Sequence, residues 1–216
     1  MREIINCFKK DNPVIQKKLK DVSVEEGMEI ATELLSILNE RTDGIGLAAN
    51  QVGIDAAVAV LNIREPIILI NPKIISKETE IPYYEGCLSF PGKGCHTKRY
   101  ETIEVTTAQH EGTIIFSGTD TGTESAKGSW EDDKSKQDRE TRTLEAVCVQ
   151  HEIDHLNGMR ILDRMVTTTI RTGKKYGRNE IVGITDGETY KEIKYKKAKP
   201  LIDSGKWTIY VGGPIT

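Results

Sequence analysis

His151, Glu152 and His155 stand in H-E-x-x-H order within the run Gln150-His151-Glu152-Ile153-Asp154-His155-Leu156-Asn157-Gly158. On an α-helix, residues four apart share one face at roughly 6 Å of rise, so both imidazoles can reach one cation. Glu152 lies beside them without competing for the same position, which leaves its carboxylate free to take a proton from water at the metal. The pattern therefore points to a metal-dependent hydrolase. The plain alternative is a solvated helix that happens to carry two histidines, and a five-residue match has a real false-positive risk. The flanks argue against it. Leu144, Val147 and Cys148 lead into His151 and His155 at helical spacing, so the histidines continue an apolar stripe and should be buried. Buried imidazoles need partners, and a cation satisfies both.

A hydrolytic zinc-type site takes three protein ligands and keeps one position open. The extended pattern H-E-x-x-H-x-x-G-x-x-H is excluded, because Gly158 fits it but Ile161 stands where its last histidine belongs. A thermolysin-like plan needs a downstream carboxylate, and Glu180 and Glu188 are the candidates. Cys148 lies on the histidine face but seven residues before His155, about 10.5 Å along a helix axis, too far to share a cation with both histidines. Cys7, Cys87, Cys95, His96 and His110 remain, and spacing alone does not rank them.

The rest of the chain must position these residues. Residues 24 to 40 carry apolar positions at helical spacing, with Ser23 as N-cap and Glu25 and Glu26 in the first turn. In residues 42 to 53, Gly44 and Gly46 flank Ile45, but the spacing fits neither a dinucleotide fingerprint nor a P-loop. The stretch is either a turn before a strand or a place where backbone approaches a ligand, with the Gln51 amide offered to a carbonyl oxygen. Residues 56 to 63 and 67 to 71 read as adjacent strands broken at Glu65-Pro66, and residues 73 to 81 as an extended segment. Residues 102 to 107 and 112 to 117 read as a strand pair, and residues 118 to 141 as a polar surface excursion with Trp130 its only large apolar residue. After the histidine helix, residues 181 to 184 and 190 to 195 resemble a hairpin around Asp186-Gly187. Lys194, Lys196, Lys197 and Lys199 cluster there, which reads first as a solvated face and second as a contact for ribosomal RNA.

Composition narrows the classes. A chain of 216 residues can bury a proper core, and a net charge of -3 with a pI near 5.9 gives no global footprint for nucleic acid, so sequence-specific binding to it is not expected. No apolar run approaches the ~20 residues of a membrane span, and residues 1 to 5 carry no signal-peptide core, so a cytoplasmic location is expected. The four cysteines then read as free thiols or ligands rather than a disulfide framework.

Three motifs, Gly44-Ile45-Gly46-Leu47-Ala48-Ala49-Asn50-Gln51, Glu85-Gly86-Cys87-Leu88-Ser89 and Gln150-His151-Glu152-Ile153-Asp154-His155-Leu156, together resemble the peptide deformylases in order and spacing, over roughly residues 12 to 165. The resemblance implies an α+β fold, with mainly antiparallel strands around a central metal-binding helix near residues 144 to 157 and the 24 to 40 helix packed outside. It implies a catalytic domain over residues 1 to 168 and leaves residues 169 to 216 as an extension of unassigned role. It makes Cys87 the third ligand of one divalent metal, physiologically Fe(II), with Zn(II), Ni(II) or Co(II) also accepted. The reaction implied is removal of the formyl group from the formyl-methionine of nascent polypeptides. Glu152 would be the base, and the Leu88 N–H and the Gln51 amide would meet the oxyanion. Gly46 would approach the substrate main chain, and Gly44 would also be part of the substrate-binding site. Ile45, Val147 and Cys148 would take the methionine side chain, and Glu85 and Arg99 would form a supporting ion pair. Partners implied are formyl-methionyl peptides and nascent chains, with transient ribosome contact through the lysine cluster. The chain departs from the family in its 118 to 141 excursion, in its C-terminal residues and at Asn50, where proline is frequent; that exchange is expected to matter little. The rival readings are a zinc endopeptidase and an inactive module that docks nascent chains or the ribosome.

Overall fold

The computed structural model describes residues 2–8, 12–119, 133–165, 176–185, 189–204 and 207–209. Helix α1 (Val24–Asn39) starts where the cap pattern places it: the Ser23 hydroxyl accepts the Glu26 N–H at 3.2 Å, and Glu25 and Glu26 occupy the positive end of the helix dipole. Its buried face, Ala31, Leu34, Ile37 and Leu38, lies on a sheet of β1 (Gly46–Ala48), β2 (Val58–Asn62) and β3 (Pro66–Ile70), all antiparallel in that order. Strand β2 is central and covered on both faces. Val58 and Val60 join the α1 cluster, whereas Ala59 and Leu61 face the opposite core, which is why its sequence is continuously apolar rather than alternating.

The second sheet orders β4 (Lys73–Gly86), β5 (Gly94–Thr106) and β6 (Ile114–Ser117), again antiparallel. β4 and β5 form a long hairpin joined by residues 87–93, with Glu85 opposite Cys95 and Ile81 opposite Arg99. Both strands outrun the segments expected from the sequence, 73 to 81 and 102 to 107. The physical reason lies in their inward positions: Cys95, Thr97 and Arg99 alternate with exposed His96 and Lys98, so the buried face is largely polar and shows no apolar period of two.

Helix α2 (Asp133–Leu156) runs between the two sheets, touching β1, β2, β5 and β6. Its inner face, Ala146, Cys148, Val149, Ile153 and Leu156, shares one core with Leu69 of the first sheet and Ile103, Val105 and Phe116 of the second. The fold is thus α+β, with antiparallel strands around the histidine-bearing helix. That helix begins about ten residues before the expected 144, inside the supposed excursion. Residues 136–140 are exposed, so their lysine, glutamine, arginine and glutamate are good helix formers that bury nothing and leave no amphipathic trace. Residues 120–132, Trp130 among them, lie outside the described residues.

At its far end, α2 is closed by the N-terminal arm. The Leu19 N–H donates to Leu156 O at 2.9 Å, and the Ala57 N–H donates to Lys20 O at 2.7 Å. Gly158 permits this docking, because it holds φ +75 and a Cβ there would meet the backbone of Gln16 and Lys17 at 2.7–2.8 Å. Beyond residue 176, β7 (Ile181–Thr185) pairs antiparallel with β8 (Tyr190–Lys194), while Asp186-Gly187 lies outside the described residues. The sequence reading extends this strand to 195, but helix α3 (Tyr195–Asp203) begins there and puts Ala198 against Val182 and Ile184. β9 (Thr208–Ile209) completes the sheet on β7. No helix among the described residues is long and apolar enough to cross a membrane.

Gly158→Ala should lower folding stability by roughly 2 kcal/mol, combining the positive-φ penalty with the backbone clash. Chemical denaturation of the variant checks this, and an unchanged midpoint would remove the arm-docking explanation.

Candidate metal centre

Cys87 opens the β4–β5 loop, and His151 and His155 lie one turn apart on α2. Their ligand atoms all fall within 4.8 Å of one another. Cys87 Sγ stands 3.2 Å from His155 Nε2, and the two imidazole rings meet edge to face at 4.9 Å. His151 donates from Nδ1 to Glu85 Oε2 at 2.8 Å, which leaves its Nε2 as the atom available for a cation. Among the described residues this is the group of histidine, cysteine and carboxylate donors close enough to share an ion. Cys7, Cys95, Cys148, His96 and His110 are not in it. Glu180 instead accepts the Gly177 N–H at 2.9 Å, and Glu188 lies outside the described residues, so nothing described supplies the carboxylate of the endopeptidase plan.

The electrostatics suit a metal. Burial opposes ionisation of Cys87, but the flanking imidazoles of His155 and His151 outweigh it and hold the thiol well below its usual range. A thiolate with two imidazoles fits Fe(II) and Zn(II) alike. Glu152 is 2 % exposed, its Oε2 has no hydrogen-bond partner among the described residues, and burial pushes its carboxyl up to about 7 although both histidines pull it down. The space it occupies exists because residue 46 is glycine. A Cβ on Gly46 would collide with Glu152 Oε1 and sit 2.8 Å from Cys148 Sγ.

Gln51 lies on a 3-10 turn (Ala49–Val52) directly after β1. Its Oε1 accepts the Ala48 N–H at 2.9 Å, which turns Nε2 toward the ligand loop, 3.2 Å from Ser89 Oγ and 3.7 Å from Cys87 Sγ. Leu88 follows Cys87 in that loop and packs over Gly44, where a Cβ would meet Leu88 Cδ1 at 2.9 Å. A cavity of about 550 Å³ opens beside Cys87, His151 and Glu152, lined also by Ile45, Gly46, Val147, Cys148, Tyr83 and Tyr84.

Behind Cys87, His151 and His155 runs a buried ion network. Arg99, 2 % exposed, donates to Glu85 Oε1 at 2.5 Å and Oε2 at 3.1 Å, and to Asp154 Oδ2 at 2.5 Å. Asp154 also receives Arg164 through two bonds, at 2.8 and 3.0 Å. Thr97 donates its hydroxyl to Glu85 Oε1.

A family model for polypeptide deformylase matches residues 4–126 and 127–170. The chain belongs to the peptide deformylase family. It is 36% identical over 167 residues to the peptide deformylase of Dictyoglomus thermophilum, covering 76% of this chain and 94% of that one. It is 32% identical over 153 residues to peptide deformylase 3 of Shewanella oneidensis, covering 69% and 79% of the two chains. Among solved structures it is similar to the peptide deformylase of Thermotoga maritima, with a TM-score of 0.56 and 29% identity over 76% of this chain and 97% of that one. As a deformylase it is a metal-dependent hydrolase that removes the N-terminal formyl group from nascent polypeptides.

Several residues around the candidate site escaped the sequence reading. Ser89 stands inside a quoted motif, yet nothing there separates it from its neighbours, and Asn50 stood out only as a departure from the family pattern. Asp154 did carry a signal, since a carboxylate three residues from His151 on a buried stripe requires a cationic partner. Arg164 and the tyrosines of β4 carried none.

Arg99→Met should destabilise the metal-loaded deformylase by about 3–5 kcal/mol, because it strands the Glu85 and Asp154 carboxylates in the interior. A denaturant midpoint equal to wild type would refute that burial argument. Cys95, whose thiol burial and the Glu85 charge push up to about 12, should stay unalkylated by iodoacetamide in the folded protein. Mass spectrometry finding it labelled as fast as in urea would contradict this.

Proposed function

We propose that Cys87, His151 and His155 hold the divalent cation of this deformylase and that Glu152 is its general base. The supporting observation is the convergence of the three donor atoms within 4.8 Å beside a buried, partnerless Glu152 oxygen. When bound, the cation supplies Lewis-acid chemistry, making hydroxide available near neutral pH and polarising the formyl carbonyl. Glu152 takes the proton from water as the C–O bond to the formyl carbon forms. It returns that proton to the amine nitrogen as the C–N bond breaks, so formamide and water become formate and a free N-terminus. A carboxyl pushed up to about 7 can both accept and release a proton near neutral pH.

The negative charge that develops on the formyl oxygen is met by Gln51 Nε2 and the Leu88 N–H, and donors of this kind contribute ~3–4 kcal/mol each. The Ala48–Gln51 bond pre-orients the amide for that role. Strand β1 is an edge strand, so the Gly46 main chain is available to an extended substrate backbone. Ile45, Val147 and Cys148 give the cavity an apolar wall for the methionine side chain. Gly44 acts less directly, by letting Leu88 pack closely.

The family resemblance favours Fe(II) as the physiological metal, with Zn(II), Ni(II) or Co(II) as replacements that the same thiolate and imidazoles accept. A substrate made of formylated nascent chains supports a cytoplasmic location. The exposed Lys194, Lys196 and Lys197 at the β8–α3 junction offer a basic face for transient ribosome contact, while Lys199 is paired with Asp203 at 2.7 Å.

Glu152→Gln should keep stoichiometric metal while kcat for formate release falls about 10²- to 10⁴-fold. Loss of metal from this variant would show Glu152 to be a ligand. Cys87→Ala should lose metal and activity together, as read by metal analysis after desalting; a fully loaded, active Cys87→Ala protein would sink the ligand assignment.

A further inference from the structure

The two histidines are not held alike. His151 has its ring fixed through Nδ1 by the Glu85 carboxylate at 2.8 Å, whereas His155 Nδ1 is buried and has no hydrogen-bond partner among the described residues. No hydrogen bond at Nδ1 therefore aims His155 Nε2 toward Cys87 Sγ, 3.2 Å away; its ring has only the edge-to-face packing on His151. Its aim depends on where its backbone sits, one residue before the end of α2, where helices fray.

Asn50 holds that backbone. It stands on the 3-10 turn Ala49–Val52, is 0 % exposed, and donates from Nδ2 to His155 O at 2.7 Å, with Ile15 O within reach at 3.4 Å. The His155 carbonyl also receives the Gly158 N–H at 3.0 Å, so both of its lone pairs are engaged. One buried amide thus ties together the last turn of the metal helix, the N-terminal arm at Ile15 and the turn whose next residue is Gln51. Proline, frequent in the family at this position, has no side-chain donor for such a bond. The expectation that Asn50 changes little therefore overlooks two contacts. A buried amide is costly to desolvate, and its Oδ1 has no hydrogen-bond partner among the described residues, so the Nδ2 contacts must offset that cost.

We propose that Asn50 is a positioning residue of the metal centre: through His155 O it sets the aim of the His155 imidazole and locks it in register with Gln51. The inference rests on His155 being a ligand, as argued under the proposed function. Asn50 touches no substrate atom, so its removal should act on metal retention and kcat and leave KM for a formyl-methionyl peptide unchanged.

The test uses Asn50→Leu, which keeps the shape and deletes the amide, in Zn(II)-loaded full-length protein. Zn(II) transfer to a chelator should be about 10- to 100-fold faster than from wild type, with kcat per bound metal reduced and KM unmoved. A variant that loses thermal stability but releases Zn(II) at the wild-type rate with wild-type kcat would overturn the proposal. Should Asn50→Leu fail to fold, wild type supplies the second readout by NMR. Because coupling is reciprocal, hydrogen exchange of the Asn50 side-chain amide should slow on Zn(II) loading, and equal exchange rates with and without the metal would overturn the proposal. Wild type that takes up no stoichiometric Zn(II) would instead defeat the ligand assignment beneath it.

Discussion

The hydrogen bond from His151 Nδ1 to Glu85 Oε2, 2.8 Å long, is the joint on which the site depends. It crosses from the metal helix to the last residues of β4, and Cys87 lies only two residues beyond Glu85. Whatever fixes Glu85 against α2 therefore fixes the thiol over the histidines. A carboxylate cannot be buried there alone, and Arg99 from β5 neutralises it through two bonds. Arg99 in turn is shared with Asp154, and Asp154 with Arg164, so two anions and two cations close a balanced chain behind the proposed ligands. Networks of this kind contribute less to net stability than apolar packing of the same volume. Here the network sets the placement of one hairpin, one helix and the segment after it.

Space is the second constraint. Glu152 shares the helix with both histidines but must face the cavity side, where β1 passes close by. Glycine at position 46 keeps the strand backbone near enough to line the cavity without displacing the carboxylate. The same closeness leaves Glu152 in a poorly solvated setting, which raises its proton affinity toward neutral pH, as the proposed role of base and later acid requires. Packing and acid–base tuning are thus one feature.

Much of this was legible because it is local. Two histidines and a glutamate on one helix need only the helical repeat, and the Ser23 cap of α1 needs only three residues. Cys87 was not rankable from spacing, since its approach to His155 is made by a hairpin whose inward side chains are Thr97 and Arg99; without an apolar alternation, the strands themselves were cut short. The first turns of α2 were hidden for the opposite reason, being polar on every side. Asn50 was visible as a departure from the family pattern but not as a contact, because its partners, Ile15 and His155, are 35 and 105 residues away in the chain.

If this arrangement hydrolyses a formamide at a chain end using one metal held by Cys87, His151 and His155, the protein purified without oxygen, with its metal counted, should act on formyl-Met-Ala-Ser. One divalent ion per chain, release of formate and intact internal peptide bonds are expected. A fully loaded protein that yields no formate, or that cleaves within the peptide, would contradict this assignment.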